Sequence, residues 1–135
     1  MARREEQVST KSLIDKLGIK PESRVSVLGI KDEEFWKQLK SRTAEISNGR
    51  LKRESDAIFF AANSDRELAK LSRLKEYLKS NGAIGVVSLK GKQARIKDVH
   101  VIAAAINAGL VDNKVVSFSE THTALRLVIP LAQRG

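Results

Sequence analysis

Two histidines, His100 and His122, are the only side chains in this chain whose ordinary titration falls near neutral pH. His122 follows Glu120 by two residues in Ser119-Glu120-Thr121-His122, and an imidazole beside a carboxylate is an arrangement suited to proton transfer. A turn histidine with a neighbouring charge has the same sequence, and that plainer reading is the favoured one. His100 falls one position off the apolar stripe of its helix, which assigns it to boundary packing. Gly-x-Ser-x-Gly is absent and no serine, histidine and aspartate are ordered as a distinctive triad, so no catalytic residue is assigned. The chain has no cysteine, which excludes thiolate chemistry, disulfides and cysteine-type zinc sites. No His–carboxylate spacing points to a metal.

Two glycine stretches invite a phosphate-binding reading. Leu28-Gly29-Ile30-Lys31-Asp32-Glu33-Glu34 follows a buried strand and opens a helix, the junction where many α/β proteins cradle a nucleotide. Gly85-Val86-Val87-Ser88-Leu89-Lys90-Gly91-Lys92-Gln93 has the look of a P-loop. It has five residues between its glycines instead of four, and Gln93 where Ser or Thr belongs, which makes it a chance likeness.

The elements that would position these groups follow from pattern and composition. The 135 residues suit one domain spanning residues 10–135, with polar residues 1–9 as a flexible N-terminus. Hydrophobic residues make up 41% and charged residues 30%, a globular mixture. No apolar run reaches the length of a bilayer, and none follows the N-terminal arginines as in a secretion signal. A soluble cytoplasmic protein without membrane contact is the expectation. The net charge of +9 points to an anionic ligand or nucleic acid as partner. It is concentrated: between Trp36 and Arg53 six basic residues face one acid, Glu45, and from Val87 to Lys97 four basic residues face none. With only six aromatic residues, a surface that stacks bases is not expected.

Ser9-Thr10 can cap a helix through Leu17, which Gly18 ends. A strand over residues 24–29 leads to an amphipathic helix over 33–41. Its neighbouring Phe35 and Trp36 point about 100° apart, so one packs inward and the other lies at the rim, available to a homodimer. A weak strand over 43–47 and a turn at Asn48-Gly49 come next. The apolar run Ala57-Ile58-Phe59-Phe60-Ala61 reads as a strand buried on both faces. Ser64-Asp65-Arg66-Glu67 is a capping box opening a helix that carries Leu68, Leu71, Leu74 and Leu78 inward and stops at Asn81-Gly82. A strand over 83–89 follows. Asp98 then caps a helix with Val99, Ile102, Ala103 and Ile106 on its inner stripe. Strands over 114–119 and 123–129 close the chain as a hairpin.

From Leu17 onward this layout resembles a shortened S-adenosylmethionine-dependent methyltransferase of the Rossmann-like type. Leu17-Gly18-Ile19-Lys20-Pro21 with Arg24-Val25 is similar to the lead-in to that family's first strand. Leu78-Lys79-Ser80-Asn81-Gly82-Ala83-Ile84 is similar to its L-K-P-G-G turn. Ala108-Gly109-Leu110 and the two strands after it are similar to its closing hairpin. Ser55-Asp56-Ala57-Ile58-Phe59-Phe60 and the stretch from Ala108 to Val115, with Glu120-Thr121, resemble a small bacterial family catalogued only as a domain of unknown function. The resemblance implies a three-layer, doubly wound, mostly parallel sheet with a C-terminal antiparallel hairpin. It also implies that the strand over 123–129 is inserted between those over 83–89 and 114–119.

The methyltransferase pattern needs Gly-x-Gly-x-Gly after the first strand, where only Gly29 remains. Ile30 and Lys31 occupy space the cofactor would take, and Asp32, Glu33 and Glu34 answer the helix dipole themselves. No acid after the second strand is placed for a ribose; Asn48 is the nearest residue. The leading expectation is therefore a non-catalytic or regulatory module without a cofactor. The alternatives are a methyltransferase whose Gly29 backbone and Lys31 still hold S-adenosylmethionine, and a basic nucleic-acid-binding protein. A ligand would meet the rim beyond the strands' carboxyl ends, where Gly29, Lys31, Asn63, Ser64, Lys90, Lys92, Arg95, Glu120 and His122 gather. A polyanion would meet the loop carrying Lys90, Lys92 and Arg95.

Overall fold

Residues 11–134 are described in a computed structural model of the chain, and the segment 1–9 expected to fray lies outside them. Their elements are α1 (Leu13–Lys16), β1 (Arg24–Leu28), α2 (Glu33–Arg42), β2 (Glu45–Asn48), β3 (Ser55–Ala61), α3 (Asp65–Leu68), α4 (Leu71–Lys75), β4 (Leu78–Leu89), α5 (Asp98–Asn107), β5 (Val111–Ser117) and β6 (His122–Val128). The strands form one sheet in the order β2-β1-β3-β4-β6-β5. The first four are parallel, and β6 is antiparallel to both β4 and β5, inserted between them as expected.

Alternation along the strands assigns two faces. Val25, Val27, Ala57, Phe59, Val116 and Ala124 pack against Ile14 and Leu17 on one side of α1 and Phe35 and Leu39 of α2. On the opposite face Ile58, Phe60, Ile84, Val86, Leu125 and Leu127 pack against Leu68, Leu71, Leu74, Val101 and Ala105 of α3, α4 and α5. The central β3 and β4 are covered on both faces, which is why they read as continuous apolar runs. The architecture is the three-layer, doubly wound α/β sheet. No helix among the described residues is long and apolar enough to cross a membrane.

Several local expectations are corrected. The N-cap of α1 is Ser12, whose Oγ accepts from Asp15 N at 3.2 Å; Ser9-Thr10, expected as the cap, lie outside the described residues. The Asp15 carboxyl is held below its ordinary range, chiefly by the hydrogen bond from Arg42 at 2.6 Å. Its contribution to stability is present above the ordinary carboxylate range and is lost as pH falls through the lowered value.

The single helix expected from Ser64 to Leu78 is two short ones, and Leu78 already begins β4. Ser55 pairs with Leu78 and Ala57 with Ala83, so residues 79–82 bulge out of the ladder instead of ending a helix. In α5 the inner stripe is Val101 and Ala105; Val99 and Ile106 are 65% and 63% exposed. Asp98 is the first helical residue, not the cap. His100 does not pack at the boundary either: it is exposed, and its Nδ1 accepts from Lys97 N at 2.9 Å, closing the first turn.

Candidate functional site

The strand order reverses between β1 and β3, and in open α/β sheets a ligand crevice lies outside the carboxyl ends of the strands at such a point. A cavity of about 290 Å³ opens there. Its apolar side is Ala61 at the end of β3, Val87 of β4 and Phe118 just after β5. The turn from Gly29 to Asp32 forms one wall, and Thr121 and His122 at the hairpin form the other.

Each wall is built locally. Gly29 has φ +73°, the left-handed region that favours glycine, and this turns the chain off the end of β1. A Cβ there would lie 3.9 Å from that of Ala61, so the requirement is one of backbone conformation and not of space. The side chain of Ile30 is buried, and its carbonyl accepts from Trp36 Nε1 at 2.8 Å. Asp32 caps α2 through Oδ1, which accepts from Phe35 N at 2.8 Å. Phe35 packs inward and is fully buried, whereas Trp36 is half-buried at the rim, the division expected from their helical spacing.

On the other wall, Ser119 Oγ accepts from His122 N at 3.1 Å and tightens the turn. His122 Nδ1 lies 2.8 Å from Thr121 Oγ1. Its Nε2 has no hydrogen-bond partner among the described residues. Glu120 is exposed at the hairpin tip and does not line the cavity, so the expected partner of His122 is replaced by Thr121.

Of the rim residues foreseen in the sequence, Gly29, Lys31 and His122 are brought together at the cavity. Lys31 is exposed and carries the wall's positive charge. Lys90 sits at the hairpin, its N–H donating to Thr121 O at 3.0 Å and its Nζ to Ser117 Oγ at 2.9 Å. Lys92 and Arg95 are exposed on the loop beyond β4, outside the cavity lining.

Asn63 and Ser64 are committed to structure. Asn63 Oδ1 accepts from Leu89 N at 2.9 Å and ties the ends of β3 and β4 together. Ser64 Oγ accepts from Glu67 N at 3.1 Å, and Glu67 reaches back to Asn63 N at 2.7 Å, one residue earlier than the capping box requires. Ser64→Ala is expected to lower stability by about 1 kcal/mol in urea unfolding, and to leave any ligand affinity unchanged. Asp32, Ala61, Val87, Phe118 and Thr121 were not foreseen as lining. Only the place of Phe118 and Thr121 around a tight hairpin hinted at it.

The cavity stands where a nucleotide cofactor would sit, and its residues fit one in part. The left-handed turn, the apolar side and a cation at the mouth are present. Asn48 ends β2 without a carboxylate for ribose hydroxyls, and Asp32 already takes one first-turn amide of α2, that of Phe35.

No family model matches the chain, and no curated protein is similar to it. Solved structures are. The chain superposes on a protein assigned as a type 11 methyltransferase from Sulfolobus solfataricus with a TM-score of 0.66 at 16% identity, covering 96% of this chain and 94% of that one. A SAM-dependent methyltransferase from Aquifex aeolicus gives 0.59 at 15% identity, with coverages of 93% and 89%. Aeropyrum pernix fibrillarin, solved with natively bound S-adenosyl-L-methionine, gives 0.56 at 12%, with coverages of 86% and 73%. At these identities the likeness is one of fold: the chain has the Rossmann-like architecture that these methyltransferases share.

Proposed function

We propose that the crevice is a cofactor site and that the protein is a methyltransferase of the S-adenosylmethionine-dependent type with a reduced glycine loop. The observation that carries this reading is the cavity itself, open at the topological switch point beside a left-handed Gly29. This reverses the expectation drawn from the loop sequence alone. Ile30 does not fill the crevice, because its side chain turns into the core. At about 290 Å³ the space falls just below the usual range of ligand pockets, about 300 to 1,000 Å³.

The Gly29 backbone would approach the ligand, and Lys31 would supply a cation for its amino-acid carboxylate. When bound, the sulfonium supplies an electrophilic methyl group. His122, held through Nδ1 by Thr121, would accept at Nε2 the proton released by the methylated group. Apolar Ala61, Val87 and Phe118 would exclude water from one side of that exchange.

A second reading, a non-catalytic module, draws on Asp32. Its carboxylate takes the Phe35 amide, which would otherwise be open to a ligand, and places a negative charge at the helix start.

Isothermal titration calorimetry with S-adenosylmethionine and S-adenosylhomocysteine separates the two. The expected result is a micromolar Kd for at least one of them. Gly29→Leu should weaken it at least tenfold by filling the cavity, with Lys31→Ala as a milder variant that leaves the turn intact. Absence of heat at millimolar ligand would return the protein to the second reading.

A further inference from the structure

The amino ends of β1, β2 and β3, at the far edge of the sheet from the cavity, carry a second built feature. β2 and β3 are both parallel to β1, yet only residues 49–54 connect them, with no helix between. Two fully buried serines hold this crossover. Ser26 Oγ accepts from Lys52 N at 3.0 Å and lies 2.9 Å from Ser55 Oγ, which donates to Lys52 O. Arg24 adds a bond from its guanidinium to Arg53 O at 3.0 Å. Glu54, with φ +60°, is the one non-glycine residue in the left-handed region among the described residues. Backbone strain of this kind persists where the surroundings over-determine it.

All of this ordering ends in a display of cations. Arg24, Lys52 and Arg53 line a groove of about 470 Å³ together with Ala44, Ile46 and Ser47. Its only acidic lining residue is Glu45, already paired with Arg24 at 3.3 Å. Neither Lys52 nor Arg53 has an acidic partner among the described residues. The track continues past the groove: Arg53 stacks over the ring of Tyr77 at 4.7 Å from its centroid, and Arg73 approaches the same ring at 5.6 Å.

We propose that this groove and the Arg53–Tyr77–Arg73 track bind the phosphodiester backbone of a nucleic acid. The guanidiniums of Arg53 and Arg73 suit bidentate phosphate contacts and can stack on unpaired bases, while Arg24, already bonded through Nε and Nη1, keeps one nitrogen for a phosphate. An open groove that continues along a row of cations fits a strand better than one phosphate. The fold places ligand chemistry at the opposite ends of the strands and asks for none here. The proposal therefore stands independently of the cofactor reading.

The test is fluorescence anisotropy of a labelled 20-nucleotide single-stranded RNA across a potassium chloride series. The wild-type chain is expected to bind in the micromolar range at low salt, with a log–log slope of about −3 for roughly four neutralised phosphates. Lys52→Ala/Arg53→Ala should reduce that slope by about 1.4 and weaken low-salt binding about tenfold, with an unchanged circular dichroism melt. The charge-matched pair Lys92→Ala/Arg95→Ala should bind within about twofold of wild type. Absence of binding at low salt overturns the proposal, as does equal weakening in both pairs. Loss only in the Lys92/Arg95 pair assigns the contact to the loop beyond β4 instead. Full competition by millimolar inorganic phosphate would mean a single-anion site and no strand.

Discussion

Phe35→Ala is expected to remove about 3–5 kcal/mol of stability. Phe35 is fully buried between α2 and the sheet. Its ring meets Phe59 edge-on, with centroids 5.5 Å apart and planes at 74°, and meets Phe118 at 5.0 Å, tilted by 41°. Trp36 adds a third ring contact, edge-on at 6.1 Å. Aromatic pairs of this kind contribute about 0.5–1.5 kcal/mol beyond the area they bury, so the deletion removes transfer free energy, ring contacts and packing together. A domain of this size has about 5–15 kcal/mol in total, which leaves the variant near the folding threshold. Phe118 also walls the cavity, so ligand affinity should fall in the remaining folded fraction. Urea unfolding at constant m-value measures the loss. A change below about 1 kcal/mol would show that α2 does not dock on the sheet through this ring.

Gly85→Ala is expected to destabilise by about 1–3 kcal/mol. The sign is the informative part, because an alanine in a strand interior ordinarily improves on glycine by about 0.5–1 kcal/mol. Gly85 pairs with Phe59 across β3 and β4, and a Cβ at Gly85 would lie 2.6 Å from Phe59 Cδ1 and 2.8 Å from Cε1. The Phe59 ring is buried and held by Phe35, so it has little freedom to withdraw. Shortening the ring should relieve the clash. Phe59→Leu combined with Gly85→Ala is expected to cost less than the sum of the two single changes. Additive costs, or a stabilised Gly85→Ala, would refute the close approach.

These two residues also mark how far the sequence could be read. Helical spacing required that one of Phe35 and Trp36 pack inward, and the structure selected Phe35. The reason for Gly85 was not legible, because it depends on a ring from another strand, twenty-six positions away in the chain. Of the candidate site, Gly29, Lys31 and His122 were visible as residues at turns beyond strand ends. Their apolar side was not visible, since Ala61, Val87 and Phe118 read as ordinary strand residues until three elements converge.

What the sequence determined by itself was local. The run from Ala57 to Ala61 has to be buried on both faces, Ser64 and Glu67 have to stop the chain and start a helix, and Asp32, Glu33 and Glu34 have to mark the start of α2. Each follows from period, capping chemistry or burial within a few residues. Only the tertiary structure decided the rest. The sequence Asp-Val-His-Val-Ile-Ala-Ala-Ala-Ile-Asn of α5 is apolar nearly all round, so periodicity could not select Val101 and Ala105 over Val99 and Ile106; contact with the sheet did. Leu78 fits the helical spacing of Leu71 and Leu74, yet pairing with Ser55 draws it into β4. Position 82 then has to be glycine, because a Cβ would sit 2.8 Å from the carbonyl of Asp56. Ser26 and Ser55 look like surface residues until the crossover buries them against Lys52. In each case two segments distant in sequence compete for one surface, and the free energy that decides between them exists only once both are in place.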